Sequence, residues 1–143
     1  VSTIYHGIDP SLFTFEEKPR DYLLFLGRMS PQKGPDVAIR VAKKTGKKLI
    51  MAGKMVPGDK EYLDSKVLPF IDNDQITYVG VADFKTKNIL LKDAFALLHP
   101  ISFTEAFGLT LIEAMATGTP VISFDNGAPR EILVDGSNGY DGA

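Results

Sequence analysis

Glu105 and Glu113 frame a glycine loop in the segment SFTEAFGLTLIEAMATGTP, residues 102–120, and are the first candidates for chemistry in this chain. Leu111, Ile112, Met115 and Ala116 have helical spacing, so Gly108 falls at the start of a predicted helix and Glu113 about a turn and a half into it. Gly118 and Pro120 form its stop. With no side chain at Gly108, the backbone N–H groups of Phe107, Gly108, Leu109 and Thr110 are free to point at phosphate oxygens. Carboxylates beside an anion site repel the anion unless they face something else. Hydroxyl groups are the natural something else, since a carboxylate accepts from them. Glu105 and Glu113 are at most about 12 Å apart at helical rise, which suits the sugar and ribose ends of a nucleotide sugar. Taken singly, Glu105 reads as a capping residue and Glu113 as a solvated helix face; the pair around the loop carries the binding reading.

A second group lies in GRMSPQKG, Gly27 to Gly34, where Arg28 and Lys33 stand between a predicted strand and a predicted helix. Arg offers a planar fork, Lys a mobile point charge and the helix start a partial positive charge, a combination suited to a diphosphate. The alternative is a Pro/Gly turn with two solvated cations, which are mildly unfavourable at a helix N-terminus without an anion. Asp72-Asn73-Asp74 has the spacing of a divalent-metal motif. It precedes a strand, at the opposite edge of the sheet, and reads as a helix-ending turn. His99, before Pro100 at a strand end, reads as a satisfied core or edge histidine rather than a catalytic base. No nucleophile-elbow, G-x4-G-K-S/T or G-x-G-x-x-G pattern occurs, so hydrolase and dehydrogenase readings lack support.

The elements that must position these residues alternate along the chain. Apolar runs YLLFLG (22–27), KLIMAG (48–53), ITYVG (76–80), FALLHP (95–100) and PVISF (120–124) read as buried strands, and a further strand begins near GSNGYDGA. Helical spacing fills the gaps at 37–42, 62–71, 89–91, 111–116 and 132–133. Continuously apolar strands with crossover helices predict an α/β, Rossmann-like parallel sheet of about six strands covered on both faces. Ligands in such sheets sit outside the carboxyl ends of the strands. That rule selects Arg28–Gly34, Gly53–Met55, Gly80–Asp83, Pro100–Gly108 and Asp125–Pro129.

Composition closes off other classes. A net charge of −2 argues against nucleic-acid binding, which needs a basic face. The absence of cysteine removes disulfides, thiolate metal sites and cysteine nucleophiles, and two distant histidines, His6 and His99, leave no His-based zinc site. The longest apolar stretch, near 95–100, falls far below the roughly 20 residues of a membrane helix, and no signal-peptide pattern opens the chain. The expected setting is cytoplasmic, and both ends read as cut from a longer protein.

These residues resemble the carboxyl-terminal domain of the glycosyltransferases grouped as family 4, which have the two-domain GT-B fold. The matching features are Gly27-Arg28 with Lys33-Gly34, the E-x7-E run EAFGLTLIE from Glu105 to Glu113, AMATGTPVI, GSNGY and the opening IYHGID, together nearly the whole chain. The departures are Ala106, where glycine or proline is frequent, and Arg130-Glu131 after Pro129, where Pro-Glu is more usual.

The resemblance implies a single donor-binding domain over 1–143, with the acceptor-binding domain absent. Arg28 and Lys33 would bind and stabilise the leaving diphosphate, and Glu105 would contact sugar hydroxyls. Phe107, Gly108, Leu109 and Thr110 would hold phosphate, Glu113 would grip the ribose, and the base would pack near Gly80 and Val81. It further implies a retaining enzyme that needs no metal or other cofactor, takes a nucleotide-diphosphate sugar as donor and serves a glycan, lipid or small-molecule acceptor. Peripheral membrane association would run through the absent domain. A noncatalytic nucleotide-sugar-binding or structural domain, or a GT-B-type epimerase, is the alternative on the same fold.

Overall fold

The computed structural model describes residues 2–18 and 20–142; Val1, Pro19 and Ala143, inside the predicted 1–143 domain, lie outside the described residues. Six parallel strands, β1 (Tyr22–Leu26), β2 (Lys48–Ala52), β3 (Ile76–Tyr78), β4 (Ala96–His99), β5 (Val121–Phe124) and β6 (Gly139–Gly142), form one sheet in the order β3-β2-β1-β4-β5-β6. Each predicted apolar run contains a strand, and the sixth lies near the end of the chain.

The alternation of side chains splits the core into two layers. Leu23 and Phe25 of β1, Leu49 and Met51 of β2 and Leu98 of β4 pack under α1 (Pro35–Thr45) and the Leu63–Val67 turn. Leu24, Leu97 and Val121 point the other way, against Leu91 of α3 (Phe84–Asp93) and Leu111 and Ala114 of α4 (Leu109–Ala116). Leu133, just past α5 (Ala128–Ile132), closes that second layer. Among the described residues, no helix is long and apolar enough to cross a membrane.

The segment predicted as one helix over 62–71 breaks into three pieces: α2 (Lys60–Tyr62), a wide π turn over Leu63–Val67 and a tight turn over Leu68–Phe70. Pro69 has no N–H to give the carbonyl four residues back and its ring clashes there, so the α-helical ladder cannot run through it. The Asp72 carboxylate accepts the backbone N–H groups of Asp74 and Ile76, with Asn73 at a φ of 58°. Those bonds hold the Asp72 carboxyl down to about 2, and the triplet is the turn that leads into β3.

Strand order reverses between β1 and β4, since the chain moves outward from β1 through β2 to β3 and then returns to the other side. The carboxyl ends of β1 and β4 therefore leave a crevice at the topological switch point.

Candidate functional site

That crevice is a cleft of about 330 Å³ lined by His6, Leu26, Gly27, Lys33, His99, Glu105, Ala106, Phe107, Gly108, Leu109 and Thr110. Gly27, Lys33, Glu105 and the Phe107–Thr110 turn, predicted from separate parts of the sequence, meet here. Arg28, Gly80, Val81 and Glu113 are outside the lining. Arg28 is exposed next to Gly27, with Nη2 3.5 Å from Gln32 Oε1. Gly80 accepts the Gly53 N–H through its carbonyl at 2.9 Å, and Val81 stands out into solvent.

Glu105 is fixed from behind by the loop after β5. Its N–H donates to the Asn126 carbonyl at 3.0 Å, and its own carbonyl accepts from Ala128 N–H at 2.9 Å. Asn126 Nδ2 ties the same loop to the Ile101 carbonyl at 2.8 Å. The backbones approach so closely at Gly127 that a Cβ there would stand 2.5 Å from the Glu105 carbonyl oxygen. The sheet-edge rule selected this loop as a candidate contact; its role in the structure is support.

The Glu105 carboxylate sits between two nitrogens. Lys33 Nζ is 3.6 Å from Oε2, and His99 Nε2 is 3.5 Å from the same oxygen. Lys33 also lies over the Phe103 ring, 4.8 Å from its centroid. His99 is 5% exposed, and its Nε2 is buried without a hydrogen-bond partner. Burial pushes the imidazole down to about 4; Glu105 pulls it up, and Lys33 adds to the fall. His99 is thus neutral at physiological pH and buried beside the cleft, as its place at a strand end near the site predicts, but its Nε2 is unsatisfied rather than satisfied.

Gly108 caps α4 in the left-handed conformation, at φ 78°, and contributes no side-chain hydrogen bond. The first amides of a helix have no intrahelical acceptor, so the Leu109 and Thr110 end of α4 presents bare donors and a partial positive charge. The start of α1 differs from the expectation of free helix amides. Pro35 has no N–H, and the Asp36 N–H already donates to Tyr62 Oη at 3.3 Å. The helix terminus that opens on the cleft is that of α4, and Lys33 reaches the cleft from the loop before α1.

Glu113 faces inward from α4, 9% exposed, where Lys87 Nζ of α3 stands 2.7 Å from Oε2 without lining up as a hydrogen bond. It is neither a solvated face nor an open carboxylate. Lys87 was invisible as its partner in the sequence, because helical spacing places a residue on a face but does not say which neighbouring helix it meets. The opening segment also reaches the site. The His6 ring is 5.4 Å and the Tyr5 ring 6.0 Å from that of Phe107, and Tyr5 Oη donates to Glu131 Oε2 at 2.8 Å.

A six-stranded parallel sheet with an uncapped helix terminus, a lysine and a carboxylate meeting at its switch point defines a Rossmann-like α/β domain. Residues 13–141 match the model of the glycosyl transferases group 1, so the chain belongs to that family. An O-antigen chain mannosyltransferase of Salmonella typhimurium is 31% identical over 96% of this chain and 39% of its own length. The solved carboxyl-terminal domain of a group 1 glycosyl transferase from Francisella tularensis is 29% identical, with a TM-score of 0.74 over 95% of this chain and 80% of its own. The Anabaena protein HepE, solved in complex with UDP, shares the fold at a TM-score of 0.83 and 22% identity, covering 98% of this chain and 43% of its own. The fold is one Rossmann-like half of GT-B, and the chain is a glycosyltransferase domain. It spans 40%, 39% and 32% of the lengths of the first three curated relatives.

Proposed function

We propose that this chain binds the nucleoside-diphosphate-sugar donor of a retaining hexosyltransferase and stabilises the diphosphate as it leaves, without a bound metal. The observation that carries the reading is the meeting of Lys33, Glu105 and the bare end of α4 in one cleft at the switch point. The UDP and UDP-glucose complexes of HepE support it, as do the mannosyltransferase names of relatives.

In this reading the diphosphate lies on the Gly108–Thr110 amides, with Lys33 turning from Glu105 towards it and Arg28 closing from the rim. As the bond between the sugar's C1 and the phosphate oxygen breaks, negative charge collects on the departing diphosphate. Fixed cations and N–H groups are already in place to meet it. Glu105 faces the sugar hydroxyls, and Glu113 would have to turn outward from Lys87 to grip the ribose. The base packs near Gly80 and Val81. The acceptor, a glycan, lipid or small molecule, is held by the remainder of the protein.

Calorimetry with UDP, GDP and ADP tests the donor site. One of them is expected to bind at or below millimolar concentration. Arg28→Ala and Lys33→Ala should each weaken it by roughly 1–3 kcal/mol, the loss of a charge-assisted contact. No binding of any of the three, or unchanged affinity in both variants, removes the site from this cleft.

A further inference from the structure

A buried polar nitrogen without a partner is uncommon and carries a desolvation cost, so His99 Nε2 requires a reason. It points at Glu105 Oε2 across 3.5 Å, at the outer limit of hydrogen bonding, while Lys33 Nζ holds the same oxygen from another side at 3.6 Å. Glu105 Oε2 is the cleft carboxylate that the nitrogen faces, so His99 can act on a ligand through it. The rest of Glu105 is fixed by Asn126 and Ala128, which leaves the side chain as the part free to shift.

We infer that His99 is a positioning residue for the donor sugar: once Lys33 turns to the diphosphate, Nε2–H donates to Glu105 Oε2 and leaves Oε1 facing the sugar hydroxyls. The inference rests on the donor reading given above. Its physical basis is the competition for one oxygen. Lys33 holds Oε2 just short of the imidazole; an incoming anion draws Lys33 away, and the carboxylate moves a few tenths of an ångström to the imidazole beside it. A neutral imidazole suits this task. It orients the carboxylate without neutralising it, so the carboxylate keeps its full strength as an acceptor of sugar hydroxyls. Nucleotide and sugar recognition are thereby coupled through Lys33.

The test compares each bare nucleotide with its sugar form, UDP with UDP-glucose and GDP with GDP-mannose, by calorimetry on this chain. His99→Phe keeps the packing and removes the donor; His99→Gln returns an N–H near the Nε2 position, and His99→Asn places one near Nδ1 instead. The phenylalanine variant should bind the bare diphosphate within about two-fold of the unaltered chain. It should lose roughly ten-fold of the affinity that the sugar adds, about the worth of one hydrogen bond to a charged group. Gln should restore most of that gain and Asn little.

The inference is overturned by a sugar gain that survives His99→Phe, by an equal fall for bare and sugar-bearing nucleotides, or by no sugar gain in the unaltered chain. If no diphosphate binds at all, the donor reading itself fails. Nitrogen-15 NMR of the histidine side chains then decides the local claim: an Nε2–H tautomer whose signal moves on Glu105→Gln is expected, and an Nδ1–H tautomer rules it out.

Discussion

His99 also makes a prediction about stability. Burial holds its imidazole near 4, against an ordinary value of 6.5, with Glu105 raising it and Lys33 lowering it further. Between those values the unfolded chain takes up a proton that the folded one refuses. Stability should therefore be whole above pH 6.5 and fall as the pH drops towards 4, by on the order of 3 kcal/mol for a shift of that size. Melting temperature followed against pH should show this slope, and His99→Phe should flatten it; an equal slope in both proteins would assign it to other groups. Lys87 is the second such case. Lys87→Met leaves the Glu113 carboxylate buried and unpaired, which should cost about 2–3 kcal/mol in urea unfolding. That is below the cost for a fully buried pair because the Lys87 side chain is 29% exposed. Glu105 and Gly108 were legible in the sequence because their chemistry is local, a carboxylate and a bare turn beside a helix start. The contacts of Lys87 with Glu113 and of His99 with Glu105 were not. Each joins elements distant along the chain, which residue type and spacing do not encode.

At the scale of elements, α4 does two things at once: it packs Leu111 and Ala114 against the sheet and turns its bare end to the cleft. Gly108 joins those tasks. A Cβ at its φ of 78° would be strained, and it would stand 2.8 Å from Leu111 Cδ1. Gly108→Ala is expected to cost about 1–3 kcal/mol from backbone strain and displaced packing. Diphosphate binding should fall with it, since the cradle amides shift when α4 shifts. Full binding at reduced stability would separate the two roles. The strands and α1, α3 and α4 were readable because apolar runs and helical spacing agree with glycine and proline punctuation there. The stretch around 60–70 was not. Its apolar spacing is helical enough, yet Pro69 and the packing of Leu63 and Val67 under the sheet force a π turn that no periodicity describes. The loop Asp125–Pro129 was read at the right edge of the sheet, but that it braces Glu105 was not legible, because position at an edge does not distinguish a contact from its support.

At the scale of the whole molecule, two of the hollows among the described residues lie near the carboxyl edge of the sheet, and charge rather than apolar surface favours one as the donor site. One, of about 250 Å³, lies between α1 and the last two strands and is lined by Val37, Val41, Ile122, Phe124 and Tyr140 among others. It is the more apolar of the two, but offers a diphosphate neither a cation nor a helix terminus. The cleft at the switch point offers both. Phe124→Ser should accordingly leave nucleotide affinity unchanged while Lys33→Ala reduces it, a contrast that calorimetry on the two variants would show directly. A last consequence follows from what the cleft contains. In the donor reading its side chains would meet a phosphate and hydroxyls, and of the two histidines that line it, His99 is buried and neutral, so it is unsuited to taking a proton from an acceptor. The chain also spans only 40% and 39% of the lengths of two relatives of 31% identity. This chain by itself is thus expected to hold UDP-glucose or GDP-mannose intact: overnight incubation followed by chromatography should recover the sugar nucleotide, with no free diphosphate above the buffer control. Steady release of UDP or GDP would instead mean that the cleft activates water on its own, and His99 and Glu105 would then have to be reconsidered as proton-transfer groups.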